Sequence, residues 1–106
     1  MSISERYRQI VEQIEQEADR LYEVLPESTG KALRQVDMAV EELQDWLEAV
    51  GEIPRNQLES KLSPVLLKAH GQLDRARVLL EAEEHNAAVE KIWELEQLIY
   101  RLLNDL

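Results

Sequence analysis

Two acidic pairs, Glu12-x-x-Glu15 and Glu42-x-x-Asp45, are the side chains whose type and spacing best suit chemistry. A step of three keeps each pair on one face of a helix, where hard carboxylate oxygens could hold a magnesium ion bridging a triphosphate. The two histidines, His70 and His85, offer less. A di-metal carboxylate site in a helical bundle needs a Glu-x-x-His step, and the residues three before these histidines are Leu67 and Ala82. Two histidines also leave no setting for a Ser-His-Asp set, and the absence of cysteine removes thiolate chemistry and disulfides. The three glycines, at 30, 51 and 71, are too scattered for a phosphate loop.

With 26 residues between them, the acidic pairs resemble the motif of the MazG-like nucleotide pyrophosphohydrolases. Those are all-α enzymes whose two acidic pairs bind magnesium on neighbouring helices. The resemblance covers four positions and implies Glu12, Glu15, Glu42 and Asp45 as metal ligands of a magnesium-dependent nucleotide hydrolase. In this chain both pairs lie off the apolar stripes of their helices, whereas the family builds its site on an inward surface. The leading expectation is therefore a protein without catalysis, resident metal or cofactor.

The elements that would position these residues are helices. Leu33, Val36, Val40, Leu43, Leu47 and Val50 step by three and four, which places them on one helical stripe. The same periodicity predicts a first helix over Ser4–Leu25, capped by Ser4 and stopped by Pro26. The second is predicted over Thr29–Val50, with Ser28 or Thr29 as its N-cap and Gly51 as a left-handed C-terminal cap. The third starts near Asn56, with Asn56 and Glu59 resembling a capping box, and ends near Glu84. It is expected to be broken or kinked near Ser63-Pro64, although Leu58, Leu62, Val65, Ala69 and Leu73 keep one phase across it. The fourth runs over Asn86–Asn104 with Asn86 as N-cap. The fold class is thus all-α, an antiparallel four-helix bundle over residues 1–106 as a single domain.

Composition narrows the functions. Apolar residues make up 44% of the chain, too many for disorder, and Phe is absent, so the core should be aliphatic. The formal charge of −10 repels phosphate backbones, and basic residues never cluster, which excludes a nucleic-acid stripe. No apolar run reaches membrane-spanning length and Met1–Arg6 has no signal core, so a cytoplasmic protein is expected.

The fourth helix has more apolar surface than one seam uses. Val89, Trp93 and Tyr100 widen its stripe on one flank and Leu98 on the other. The third carries a weaker second stripe of Leu67, Gly71, Val78 and Ala82. Gly71 there costs about 1 kcal/mol relative to Ala, an expense that close approach of another backbone would offset. Trp93, Leu98 and Tyr100, then Leu67 and Val78, are the expected contact residues of a small acidic adaptor or regulatory subunit. It would bind a protein partner or itself through helix four, unless Trp93 simply completes the core. Glu17 and Glu96, the acids nearest buried stripes, are expected at stripe edges with their heads in water.

Overall fold

The computed structural model describes residues Met1–Leu106 as four α-helices without strands: α1 Ile3–Val24, α2 Gly30–Gln44, α3 Leu58–Ala82 and α4 Asn86–Asn104. Three short 3-10 turns, Glu27–Thr29, Ala49–Glu52 and Arg55–Gln57, fill the connections. One cluster of 23 buried apolar residues runs through all four helices. α3 packs against α2 and α4, and α1 against the same two helices. Side-chain bonds fix the ends: Arg6 near the start of α1 pairs with Asp105 beyond α4 at 2.7 Å, and Tyr22 near the end of α1 donates to Asp37 in α2. No helix is long and apolar enough to cross a membrane.

The helix starts differ from the sequence expectations. Ser2, not Ser4, caps α1, its hydroxyl accepting from the Glu5 N–H at 3.1 Å. Thr29 precedes α2, but its hydroxyl donates back to the Pro26 carbonyl at 2.6 Å and caps nothing. Neither Asn56 nor Asn86 is a cap: Gln57 and His85 hold those positions and make no capping bond.

The larger correction concerns where the chain departs from regular helix. α3 runs unbroken through Pro64, so the break expected there is absent. Pro64 and Ser60, whose carbonyl the missing N–H would have served, are both exposed, and water can satisfy that carbonyl. Buried Leu62, Val65, Leu66 and Ala69 hold the phase on the other side. The irregularity is in the second helix, which ends at Gln44 instead of Val50. The buried Tyr7 hydroxyl donates to the Leu43 carbonyl at 2.5 Å, the acceptor that the Leu47 N–H would use in a continuing helix. Trp46 N–H also turns to Leu43, and Leu47 N–H goes to Gln44, so the ladder tightens to steps of three. The turn lets Val50 reach the core, while Arg8 donates to the Leu47 carbonyl at 3.2 Å. Gly51 is not a left-handed cap, since no glycine has positive φ. A Cβ there would lie 2.9 Å from the Arg8 guanidinium, the end of a flexible side chain that can shift aside.

α3 and α4 are joined by Glu83–His85. The His85 N–H bonds the Leu80 carbonyl at 3.0 Å and the Glu84 N–H bonds Glu81 at 3.0 Å, the paired closure of a Schellman motif. Its left-handed residue is Glu84, at φ 62°, where glycine is usual.

Candidate functional site

The seam between α3 and α4 holds the one polar cluster that reaches the interior. His70, Asp74, Arg77 and Glu81 recur by four, three and four along one flank of α3. That is the spacing of an apolar stripe, here written in ionisable residues. α4 answers with Glu96, only 3% exposed. The expectation that Glu96 keeps its head in water is therefore wrong: the position lies on the inward side of the stripe, facing α3.

Glu96 is pulled at from several directions. His70 Nε2 lies 3.6 Å from its Oε1, and Arg77 Nε lies 3.3 Å from its Oε2. The second contact lacks hydrogen-bond geometry, leaving Oε2 buried without a hydrogen-bond partner. Arg77 is otherwise engaged: its Nε and Nη2 donate to Asp74 at 3.1 and 2.8 Å, and Nη1 to Glu81 at 3.3 Å. Burial pushes the Glu96 carboxyl up to about 7, and the neighbouring Asp74 carboxylate adds to the push, against the weaker opposite pull of Arg77. Asp74 itself is held below its ordinary value, chiefly by its hydrogen bonds from Arg77.

Outside this seam lies an apolar surface. Trp93 and Tyr100 stand three residues before and four after Glu96, on the same flank of α4, and each is about half exposed (52% and 53%). Across the seam, Leu67 and Val78 are 60% and 53% exposed on α3. Gly71 sits between them, and a Cβ built on it would meet nothing within 4 Å. Within the chain, then, no other backbone approaches Gly71 closely. Leu98 stands apart from Trp93 and Tyr100, half-buried against the core on the other flank. Trp93 does not complete the core.

The acidic pairs are not brought together as a site. Glu12 and Asp45 are exposed, Glu15 accepts from Gln44 Nε2 at 2.8 Å, and Glu42 pairs with Lys68 at 3.1 Å. No group of three His, Asp or Glu residues is placed to hold a metal ion. Glu17 is bonded to Arg20 at 3.3 Å, and His85 lies 3.7 Å from Glu83. A cavity of about 410 Å³ opens between the end of α1 and the start of α4, walled by Leu21, Val24, Leu25 and Ala88 with Arg20 and Lys91 at its rim.

The Asp74–Arg77–Glu96 cluster is what sequence reading missed. Its signal was present in the spacing of His70, Asp74, Arg77 and Glu81, but it becomes meaningful only once α4 is known to lie against that flank. The chain matches no known family, and no curated protein or solved structure matches it either.

Proposed function

We propose that this chain is a small helical interaction module, a cytoplasmic adaptor or regulatory subunit that works by presenting the outer face of α3 and α4. The carrying observation is the pair of half-exposed aromatics, Trp93 and Tyr100, on one flank of α4 beside exposed Leu67 and Val78 on α3. Amphipathic aromatics on a firmly packed helix supply large contact area at low entropic cost, which is why interfaces favour them. Helix directions matter to this reading, and we take the bundle as antiparallel. Support comes from the pairing of Arg6 with Asp105 and Tyr22 with Asp37, and from the short turn between α3 and α4. Leu98, which packs inward, would make a rim contact at most.

The test is capture of partners by immobilised protein, wild type against Trp93→Glu/Tyr100→Glu, with circular dichroism confirming that the variant remains helical. Wild type is expected to hold a partner, a distinct protein or more of itself, that the folded variant loses. Identical capture by both would remove the reading.

A further inference from the structure

The α3–α4 face carries knobs on one helix and a notch on the other. Glu96 touches both His70 and Arg77, so it lies level with the midpoint between them. With the two helices running in opposite directions and rising equally per residue, Trp93 then lies level with Ala76–Arg77, and Tyr100 with Ala69–His70, each within two residues of Val78 and Gly71. Gly71 opens onto free space, leaving a gap on α3 with Leu67 one turn away. Within one chain neither ring fills this gap, since nothing lies within 4 Å of a Cβ at Gly71 and both rings stay about half exposed.

Charge says what can cover the face. The chain as a whole carries −10, and α1 alone has three Arg against six Asp and Glu. α3 has four Lys and Arg against three Asp and Glu, while α4 has two against three, so together the two helices are neutral. A second copy meeting this face escapes the like-charge repulsion that it would meet at α1. The slight excess of cations on α3 and of anions on α4 also favours α3 of one copy lying against α4 of the other. Arg75, exposed and without an ion pair of its own, stands level with exposed Glu94 on α4, whose one ion pair is the i,i+3 contact with Lys91 at 3.2 Å.

We propose that the face binds a second copy of this chain about a two-fold axis parallel to the helices. Tyr100 of each copy enters the notch at the partner's Gly71, Trp93 covers the partner's Val78, and Arg75 meets the partner's Glu94. The inference rests on the interaction-module reading and names its partner.

Sedimentation equilibrium of the pure protein from about 1 µM to about 1 mM tests it. A concentration-dependent dimer is expected. Gly71→Leu places a better helix former in open space, so it should keep or raise the melting temperature while abolishing the dimer. Arg75→Glu and Glu94→Arg should each weaken dimerisation about tenfold, and the double variant should return within about threefold of wild type. A chain monomeric throughout would overturn the proposal, as would a Gly71→Leu dimer of wild-type affinity or a double variant without recovery. A monomeric chain that still captures a different protein through Trp93 and Tyr100 would overturn the two-fold alone and leave the module reading standing.

Discussion

Tyr7 and Glu96 each carry a polar head into a seam between helices, and the two seams treat it in opposite ways. Tyr7, on α1, is fully buried, but its single proton has a destination in the Leu43 carbonyl, and it is neutral. Burial first, then the carboxylates of Glu42 and Asp45, push its ionisation further from neutrality, so the bond is indifferent to pH in the ordinary range. Glu96 is almost as buried, yet one oxygen lacks a hydrogen-bond partner and an acid stands beside it. A satisfied neutral group in a seam acts as a lock, whereas an unsatisfied ionisable one makes the seam's stability depend on the medium.

The largest effect expected from this contrast is the pH response of the α3–α4 seam. Glu96 is held at about 7 against an ordinary 4.5, so the native state keeps a proton that the unfolded chain has released. Its contribution is complete below the unfolded value and declines as pH rises through 7, by on the order of 3 kcal/mol in all. Asp74, held low, works the other way: its contribution is present above the ordinary carboxylate range and is lost as pH falls through its lowered value. Urea unfolding of wild type and Glu96→Gln between about pH 5 and about pH 8 measures the difference. The variant should flatten the alkaline decline and match or exceed wild type at the upper end. Parallel profiles would show that Glu96 does not titrate in this window.

A middle-sized effect should break the other side of the comparison. Tyr7→Phe removes the hydroxyl from Leu43 and should cost about 1–1.5 kcal/mol, equally at acid and alkaline pH. A loss that varied with pH would mean that the α1–α2 seam is no more insulated than its counterpart. The smallest effect sharpens the same contrast at the hinge of the sensitive half. Glu84→Gly relieves a left-handed residue and should stabilise by about 1 kcal/mol. Thermal melts would read this as a modest rise in midpoint, and a fall would mean that the Glu84 side chain itself contributes to the turn.

The apolar stripes were readable because helix periodicity is local. Val36 and Leu43 are buried as their spacing implies, and Leu62, Val65 and Ala69 hold phase across Pro64. The end of α2 was not readable, because what stops it is a hydroxyl thirty-six positions earlier in the chain. Pro64 did not break α3, since the effect of a proline depends on whether the carbonyl it abandons faces water. The turn at Glu84 was hidden because the motif usually announces itself with glycine. For the candidate face, the second stripe with Leu67 and Val78 and the flank with Trp93 and Tyr100 could be counted, but whether Trp93 completes the core could not, and the burial of Glu96 depends on which flank α3 presents.

The three-residue connection Glu83–His85 also bears on the order in which the molecule assembles. Closing so short a loop sacrifices little chain entropy, whereas bringing α1 onto α4 must gather nearly the whole polypeptide. The short connections therefore favour early pairing of neighbouring helices, α3 with α4 among them, over the contact of α1 with α4, which closes last. On that order, a variant in the α3–α4 seam is expected to change the folding rate, and one that breaks the Arg6–Asp105 pair the unfolding rate.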